Sequence, residues 1–359
     1  MIGVVTTSYP RFPDDGAGVF VRERVRVLLA QGQQVEIVAA GDGHDDGSVT
    51  RIPGHGLFYA GGAPEALEDT RLGPRLSAWG RALGFAGALL GELAGRAGRW
   101  DAVESHWLVP CGLAVGAALP GVPHRAHLHG GDVYLLGRLP AAASLARVFC
   151  RCRPELVFAS ASLREEFSRL AGVAPETLGA RCHVEPAPFD RTIFHPRTGE
   201  ERQPARAQLG LAGFTVLAAG RLVPIKGFDL LLTAAAEFVH GPGLEVIVAG
   251  EGPERARLAR QARAAGIRLR LPGMLGQSAL ALHMAAADLF VHPCRRLPSG
   301  RSEGMPLVVR EALARGLPVV ASASGGLEEL RGHAGLSLFE PGEVAALAEA
   351  IAGALRAST

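Results

Sequence analysis

One lysine stands apart among the basic residues of this chain. Of the 37 lysine and arginine residues, Lys226 is the only lysine. A composition so biased toward arginine indicates a genome that disfavours lysine codons, and a surviving lysine indicates a position that needs a compact, mobile ammonium. Lys226 lies beyond the apolar run 215–219, five residues after Arg221. Two cations at a strand-to-helix turn predict a bound phosphate, although Lys226 alone is equally well interpreted as a solvated chance survivor.

Two carboxylates, Glu303 and Glu311, form a second candidate group in the segment 302–321. Pro306 suits the first turn of a helix, where its missing N–H costs nothing. Glu303 then stands at the mouth of the helix and Glu311 about 12 Å further along its axis, if both residues are helical. One carboxylate can meet a sugar and the other a ribose. The backbone around the helix start would face an anion, so anion-binding positions are expected at Gly304, Met305, Pro306 and Leu307.

The same carboxylates have a purely structural interpretation. Glu303 can stabilise the helix N-terminus electrostatically, and Glu311 can pair with Arg315, four residues further on. For an isolated pair this interpretation would be preferred. The other polar groups at predicted strand ends favour the functional one instead.

Glycine-rich turns follow the first strand of the chain and a strand of the second half. Gly16 and Gly18 lie in the segment 9–21, and Gly250 lies in the segment 248–253. Glycine lets backbone amides approach a diphosphate or an acceptor closely. Each turn taken alone is explained equally well by tight-turn geometry.

Histidines follow two further predicted strands. His129 and Asp132 lie in His127-Leu128-His129-Gly130-Gly131-Asp132, and His106 and Trp107 follow the run 102–105. We expect His127 on the opposite face of its strand from His129, in a structural role. An isolated His-x-His could indicate a metal, but the sequence offers no evident third ligand, so no metal is predicted. His106 and Trp107 are interpreted as residues that face a ligand or, equally, as packing residues.

Short apolar runs alternate with helical patterns along the whole chain, which predicts parallel sheets wound by helices. The first-half strands are expected at 2–6, 35–39, 102–105, 126–129 and 156–159. Those of the second half are expected at 215–219, 244–249, 267–271, 289–292, 318–321 and 336–339. A proline-rich, charged stretch places the domain boundary near residue 195. The predicted fold is therefore α/β, with two tandem Rossmann-like doubly wound domains, 1–195 and 196–359, and a ligand cleft between them.

Composition excludes several classes of protein. The chain has 359 residues, 48% of them hydrophobic, and a formal charge of +2 with the basic residues dispersed, so nucleic acid is not an expected partner. Five cysteines without paired spacing, the absence of a secretory leader and the absence of a long apolar run predict a cytoplasmic protein. Arginines at 22, 24 and 26 are interpreted as a solvated helix face, with contact to the inner face of a membrane as the alternative.

The Gly-Arg-x4-Lys-Gly turn and the Glu-x7-Glu segment together resemble the retaining glycosyltransferases of family 4, whose fold is called GT-B. Val248-Ala249-Gly250-Glu251-Gly252-Pro253 is similar to the family's Gly-x-Gly-Pro turn, and Gly325-Gly326-Leu327-Glu328-Glu329 to its Gly-Gly-x-x-Glu. The segment around His129 resembles its His-Gly-x-Asp, and the segment 9–21 its glycine-rich first loop. The resemblance covers nearly the whole chain.

This resemblance implies roles for the candidate residues. Arg221 and Lys226 would hold the donor diphosphate, Glu303 and His129 would face the transferred sugar, and Glu311 would bind the ribose. The first domain would take the acceptor, with His106, Trp107 and Asp132 on that side. The family needs no metal and no cofactor beyond its nucleoside diphosphate sugar.

The implied activity is the metal-independent, retaining transfer of a hexose from a nucleoside diphosphate sugar to a hydroxyl of a glycan or lipid-linked glycan, in polysaccharide or glycolipid synthesis. Two departures leave alternatives open. The chain has Ala187-Pro188-Phe189-Asp190 where many relatives have Pro-Asn-Gly, and it ends at Thr359 where relatives continue through a helical tail. A trimmed chain, a truncated reading frame or a looser domain pair would explain that end. A non-catalytic sugar-nucleotide or glycan-binding protein, and a sugar-nucleotide epimerase or phosphorylase, are the alternative functions.

Overall fold

A computed structural model describes residues 1–12, 15–41, 49–53, 76–239, 244–297 and 303–357. The chain divides into two compact units, Met1–Pro188 and Phe189–Thr359. The boundary lies a few residues before the predicted one at 195, because Phe194 is buried in the core of the second unit and its ring packs edge-on against Phe189. The stretch that sequence alone assigned to the end of the first domain is therefore part of the second.

The first unit is built on a parallel sheet with the strand order β3-β2-β1-β4-β5-β6-β7. Sequential strands run outward from β1 in one direction and from β4 in the other, so the order reverses between β1 and β4. Ligands of such sheets bind where the order reverses, beyond the carboxyl ends of the strands. The strands are β1 Ile2–Thr6, β2 Val35–Ala40, β3 Val49–Ile52, β4 Ala102–His106, β5 His124–Leu128, β6 Glu155–Phe158 and β7 Arg181–Val184.

The second unit repeats this plan with a parallel sheet in the order β10-β9-β8-β11-β12-β13. Its reversal lies between β8 and β11, which are direct neighbours. The strands are β8 Thr215–Ala219, β9 Glu245–Ala249, β10 Arg268–Arg270, β11 Leu289–His292, β12 Val319–Ser322 and β13 Leu336–Phe339.

Helices connect the strands in both units. Those of the first unit are α1 Val19–Ala30, α2 Leu76–Ala94, α3 Leu113–Ala118, α4 Gly131–Leu136, α5 Ala142–Arg151 and α6 Ala161–Ala171. Those of the second are α7 Gly199–Leu209, α8 Phe228–Ala235, α9 Arg255–Ala264, α10 Gln277–Ala286, α11 Leu307–Ala314 and α12 Val344–Ala357. Apolar side chains of β8 and β9 pack against α8 on one face of the second sheet, and β11 and β12 against α10 and α11 on the other. The second sheet is thus covered on both faces, as parallel sheets require.

The α/β class and all eleven predicted strands are confirmed, several with identical limits. Two observed strands, β3 and β7, were missed. Both lie at an edge of the first sheet, and β7 has mostly exposed residues. An edge strand is buried less completely than a central one, so it lacks the continuous apolar run by which the other strands were recognised.

Candidate functional site

Lys226 and Glu303 meet at the point where the strand order of the second sheet reverses. Lys226 follows β8 in a short 3₁₀ turn, Pro224–Lys226, and Glu303 lies in the connection from β11 to α11. The Lys226 Nζ donates a hydrogen bond to Glu303 Oε2 across 3.0 Å. Both side chains are largely buried, with 14% and 16% of their surfaces exposed. Two residues singled out separately from the sequence are therefore one ion pair.

Lys226 is held in its charged form. Burial works to lower the pKa of its ammonium, but the charge of Glu303 and the hydrogen bond to it outweigh that effect and raise the pKa above its ordinary value. Arg221 lies close enough to oppose this rise through its own positive charge. The turn therefore presents a fixed positive charge with a second cation beside it, the arrangement that a phosphate group requires.

Close backbone contacts fix the turn that carries Lys226. Gly227 has a φ of +64°, and a Cβ there would lie 2.0 Å from the carbonyl oxygen of Pro293. The Arg295 N–H donates to the carbonyl of Ile225 across 2.8 Å. The lysine turn is thus locked against the segment that follows β11, and only glycine fits at position 227.

Gly250 supports the same turn from the neighbouring strand. It has a φ of +138°, and a Cβ there would lie 1.9 Å from the carbonyl oxygen of Gly220. The Gly220 N–H donates to the carbonyl of Ala249 across 2.9 Å, so the two backbone segments stay paired beyond the ends of β8 and β9. The predicted donor-binding glycine therefore has a clear structural role in bringing two backbones together.

Helix α11 begins one residue later than predicted. Pro306 is its N-cap in an extended conformation, and Leu307 is the first helical residue. The separation of about 12 Å expected for Glu303 and Glu311 applies only if both are helical, and that condition is not met because Glu303 precedes the helix. Gly304, Met305 and Leu307 are partly exposed, while Pro306 is buried. The Gly304 carbonyl accepts a hydrogen bond from Gly326 N–H across 2.8 Å, which joins this turn to the Gly-Gly-x-x-Glu segment.

Glu311 lies inside α11 with 4% of its surface exposed. Burial raises the pKa of its carboxyl to about 8, and the nearby Arg310 only partly opposes the rise. The structural interpretation that pairs Glu311 with Arg315 is wrong. The Arg315 guanidinium donates instead to Glu201 across 2.6 Å and to the carbonyl of His195 across 3.1 Å. Glu311 is therefore a buried carboxyl group without its predicted cation.

Sequence reasoning missed two residues beside the Lys226–Glu303 pair. His292 ends β11, and Cys294 follows it by two positions. The Cys294 Sγ lies 3.0 Å from His292 Nε2, and both side chains are completely buried. Burial, and then the charge of Lys226, lower the pKa of His292 to about 3. A His-x-Cys spacing at a strand end could have indicated them, since residues two apart in an extended chain face the same side.

In the first unit, Gly18 and Gly16 shape the loop between β1 and α1. Gly18 has a φ of +67°, and a Cβ there would lie 2.2 Å from the carbonyl oxygen of Ser8. Asp15 organises the same loop by accepting hydrogen bonds from Arg11 Nε at 2.7 Å and from Ala17 N–H at 3.1 Å. Gly16 is exposed. Gly18 therefore permits a close approach of backbone to backbone, and Gly16 lies on the surface of the loop.

Three histidine rings stack at the carboxyl ends of β4 and β5. The His106 ring lies 4.5 Å from that of His127 and 5.3 Å from that of His129, with interplanar angles below ten degrees. His106 Nδ1 and His129 Nε2 are 3.1 Å apart and share a hydrogen bond. The expectation that His127 faces away from His129 is wrong, because residues two apart on a strand share a face. Burial, and then the nearby His127, hold the pKa of His129 well below its ordinary value, so its ring is neutral.

Glu104 anchors this stack and was missed by sequence reasoning. Its carboxylate accepts hydrogen bonds from Arg24 Nε at 2.8 Å and from His127 Nε2 at 3.0 Å. Burial works to raise the pKa of Glu104, but the bonds from Arg24 and His127 prevail and lower it to about 2. Because Arg24 is committed to Glu104, it is not part of the solvated helix face that the sequence predicted. The paired spacings Glu104-x-His106 and His127-x-His129 could have indicated the cluster.

Asp132 and Trp107, which the sequence analysis places on the acceptor side, are both buried beside His129. The Asp132 carboxylate accepts hydrogen bonds from the backbone N–H groups of Leu108 at 2.7 Å and Gly130 at 2.9 Å. Its side chain is buried, and that burial raises the pKa of Asp132 despite the hydrogen bonds. Trp107 is also buried, with its ring edge-on to His129. Both residues hold the loop around His129 in place, and their acceptor-side role stays a prediction.

A cavity of about 160 Å³ opens beside the histidine stack in the first unit. Its walls combine the three histidines with apolar side chains of α1, β5 and β6 and with two charged groups, Arg24 and Glu185. The stretch 186–188 closes one side. Ala187 and Pro188, the first two residues of the segment that departs from the family pattern, thus line a cavity of the first unit.

Among the described residues, two groups have side-chain atoms close enough to hold a metal ion. They are Glu104, His106 and His127 in the first unit, and His292, Cys294 and Glu303 in the second. The described part of the chain contains no helix long and apolar enough to cross a membrane.

Two family models together match most of the chain. The model described as Glycosyltransferase Family 4 matches residues 15–188, and the model described as Glycosyl transferases group 1 matches residues 200–358. The D-inositol 3-phosphate glycosyltransferase of Thermomonospora curvata is 30% identical over 348 residues, covering 87% of this chain and 75% of that protein. The chain belongs to glycosyltransferase family 4. The resemblance stated from its motifs is thereby confirmed.

Further similarities extend this family assignment. The GDP-mannose-dependent alpha-(1-6)-phosphatidylinositol monomannoside mannosyltransferase of Mycobacterium tuberculosis is 32% identical over 247 residues, covering 67% of this chain and 62% of that protein. The chain thus spans less than two thirds of that relative. The crystal structure of Anabaena HepE in complex with UDP-glucose shares the fold with a TM-score of 0.69 and 20% identity, covering 99% of this family 4 chain and 90% of that one. The GT-B fold class is confirmed.

Proposed function

We propose that this family 4 protein is a retaining glycosyltransferase that moves a sugar from a nucleoside diphosphate sugar to a hydroxyl group. The observation that carries the proposal is the Lys226–Glu303 ion pair at the reversal point of the second sheet. A charged lysine, an adjacent arginine and a carboxylate meet there beyond the ends of β8 and β11. These groups suit the diphosphate and the sugar of one donor molecule.

The basic residues would stabilise the leaving group. When the bond between the sugar and the diphosphate breaks, negative charge develops on the bridging oxygen. Lys226 and Arg221 are cations fixed in place before the reaction, so they can stabilise this charge without rearrangement. The backbone from Gly304 to Leu307 would add N–H groups at the start of α11. No acid is required, because a diphosphate leaves without protonation.

The carboxylates would orient the donor. In the proposed reaction Glu303 binds hydroxyls of the transferred sugar, and Glu311 binds the ribose. His129 is the first-unit residue that the family resemblance assigns to the sugar, and its neutral ring suits hydrogen bonding to a hydroxyl. None of these groups attacks the sugar. The acceptor would enter on the face from which the diphosphate leaves, through an ion-pair transition state, and the diphosphate would take the acceptor proton.

The names of relatives support a choice of donor and acceptor to test. The mycobacterial relative is named for GDP-mannose and for a phosphatidylinositol monomannoside, and the T. curvata relative for inositol 3-phosphate. HepE was crystallised with UDP-glucose. We therefore propose a hexosyl donor with a guanosine or uridine base, and an acceptor that is a glycan or a lipid-linked glycan in polysaccharide or glycolipid synthesis. A lipid-linked acceptor would bring a cytoplasmic enzyme to the inner face of the membrane. The transfer would need no metal or cofactor.

The test is a screen of GDP-, UDP- and ADP-sugars by thermal shift and by release of free nucleoside diphosphate, with and without acceptor. We expect stabilisation by one nucleotide class and nucleotide release that depends on the acceptor. Lys226→Ala should lose both responses. Product analysis by NMR should show the anomeric configuration of the donor retained.

Other outcomes would separate the alternatives. Stabilisation by a donor without turnover across a broad acceptor set would favour a non-catalytic binding protein. Conversion of the donor sugar without any acceptor would favour an epimerase. No response to any donor would contradict the proposal.

A further inference from the structure

A thiol and an imidazole that the proposed reaction does not use lie next to the Lys226–Glu303 pair. His292 and Cys294 face the same side of an extended segment, with Sγ and Nε2 3.0 Å apart. The segment is fastened to the Lys226 turn, because Gly227 lies against the Pro293 carbonyl. The ligand atoms of His292, Cys294 and Glu303 all lie within 4.8 Å of one another. The second His292 ring nitrogen, Nδ1, is buried and has no hydrogen-bond partner among the described residues.

We propose that Cys294, His292 and Glu303 form an inhibitory binding site for a soft divalent metal ion of the zinc class. Thiolate, imidazole and carboxylate are ligands that Zn²⁺ prefers, and three protein ligands leave one position for water. The bound ion would take the Glu303 carboxylate away from Lys226. The loss of activity rests on the proposed function, whereas the binding of the metal does not.

Charge explains why the ion and Lys226 would exclude each other. In the metal-free protein, the Glu303 carboxylate is balanced by the Lys226 ammonium. Metal binding brings two positive charges and releases the Cys294 proton, since the ligand is the thiolate. The carboxylate can then no longer neutralise both cations, and like charges at short range repel. Lys226 must move away from Glu303, and a donor would find neither residue in place.

An entry path exists on the side of the ion pair. His292 and Cys294 are completely buried, but Glu303 and Lys226 each keep about a seventh of their side-chain surface exposed. Displacing the ammonium from the carboxylate therefore opens the ligands to solvent. The same movement that admits the metal produces the inhibition.

The candidate group in the first unit is less suited to a metal. The rings of His106 and His127 are stacked 4.5 Å apart and within 9° of parallel. A ring nitrogen offers its lone pair in the plane of the ring, so two stacked rings cannot direct their lone pairs to one ion. Glu104 is also held by Arg24. In the second unit the three ligands are one imidazole, one thiol and one carboxylate, so no stacked pair of rings opposes the ion, and the cation that holds Glu303 is Lys226.

Cobalt titration tests the site without reference to activity. Metal-free protein kept reduced by a phosphine would be titrated with Co²⁺, and the near-ultraviolet charge-transfer band of a cobalt–thiolate bond would be recorded. We expect a band that saturates at one equivalent, disappears in Cys294→Ser and persists in Cys152→Ser. Cys152 is the matched control because its thiol is exposed. No band in the wild type, or an unchanged band in Cys294→Ser, overturns the proposal.

Two further measurements test the competition with Lys226. Lys226→Met removes the competing cation, so we expect its Co²⁺ dissociation constant to fall about tenfold. An unchanged constant would overturn the claim that the two cations exclude each other. Zn²⁺ should inhibit glycosyl transfer by the wild type, and Cys294→Ser should resist it, each compared with its own rate without metal. Equal inhibition of both proteins would overturn the inhibitory role, even if the cobalt band is present.

Discussion

The two units have the same kind of fold, but the polar site of one contains charged side chains and that of the other contains neutral histidine rings. In the second unit, Lys226 and Glu303 are oppositely charged, and burial of the pair leaves the lysine charged. In the first unit, burial keeps the stacked rings of His106 and His129 neutral. The charged groups there, Arg24 and Glu104, neutralise each other. The second unit therefore presents charge at its site, and the first presents neutral hydrogen-bonding rings.

The difference also lies in what holds each site together. Around Lys226, glycines at 227 and 250 allow carbonyl oxygens to approach to distances that any side chain would block. Around His129, ring stacking and the hydrogen bonds of Asp132 and Glu104 fix the side chains. Backbone contacts make the charged site intolerant of a single added methyl group. Side-chain contacts make the histidine site sensitive to the loss of one carboxylate.

The largest effect should come from removing the charge of the second unit. We expect Lys226→Ala to lower kcat/KM by about 100- to 1,000-fold, because a fixed cation would no longer stabilise the leaving diphosphate. Steady-state kinetics with the donor found in the screen measures this, and circular dichroism checks the fold. Lys226→Arg should recover little activity, since a planar guanidinium cannot take the place of an ammonium whose methylene chain lies beside Gly220. Near wild-type activity in Lys226→Ala would contradict the idea that the charged site of the second unit carries the reaction.

One glycine, Gly250, allows the close backbone contact that supports the charged site. Gly250→Ala places a Cβ 1.9 Å from the Gly220 carbonyl oxygen, and we expect a loss of about 3 kcal/mol in the free energy of unfolding. Urea denaturation measures the change. Gly266→Ala is the matched control, because Gly266 also has a positive φ of +70° but no neighbouring atom within 4 Å of an added Cβ. It should lose only about 1 kcal/mol. Equal losses of stability in the two variants would mean that the positive φ, rather than the close contact with Gly220, makes glycine necessary at position 250.

In the histidine site, we expect Glu104→Gln to lower the free energy of unfolding by about 2 kcal/mol at pH 7, because Arg24 and His127 lose their charged partner. The pKa of Glu104 is lowered from 4.5 to about 2 in the folded protein. Its charge therefore stabilises the fold fully above the unfolded value of 4.5, and this contribution disappears as the pH falls toward 2. Urea denaturation between pH 7 and pH 3 should show the difference between the two proteins shrinking. If the difference in unfolding free energy between the two proteins does not change with pH, the loss of stability would come from packing and not from the charge of Glu104.

Glu311→Gln should have the smallest effect at pH 5, and at higher pH it should act in the opposite direction. The pKa of Glu311 is raised to about 8, so the folded state holds its proton more tightly than the unfolded state, and stability falls as the pH rises from 4.5 to 8. Glutamine cannot ionise. We expect the variant to be close to the wild type at pH 5 and to gain about 1.4 kcal/mol over it in the free energy of unfolding for each pH unit between 5 and 8, measured by thermal unfolding. Loss of the nucleotide thermal shift in the same variant would support ribose binding.

The central strands and the charged site could be predicted from sequence, whereas the histidine site could be predicted only in part. Central strands such as β8 are continuous apolar runs, and Lys226 is conspicuous by its rarity. The partner of Arg24, by contrast, is 80 residues away in sequence, and which of several carboxylates it meets depends on packing. The same holds for Arg315, whose nearest candidate along its helix was Glu311 but whose partner is Glu201. Local sequence patterns indicate helices and strands, whereas side-chain pairs between distant parts of the sequence can be identified only from the structure.

The bond between Lys226 and Glu303 gives the ammonium a resident counter-ion before any donor arrives. In the proposed reaction, donor binding at this turn would be an exchange of anions, in which a phosphate oxygen replaces a carboxylate oxygen and the released carboxylate turns to the sugar. A buried ammonium without a counter-ion would have to be hydrated or lose its proton, whereas one that exchanges its counter-ion stays charged throughout. The same contact would then keep the lysine charged for the diphosphate and couple diphosphate binding to the release of the carboxylate that binds the sugar.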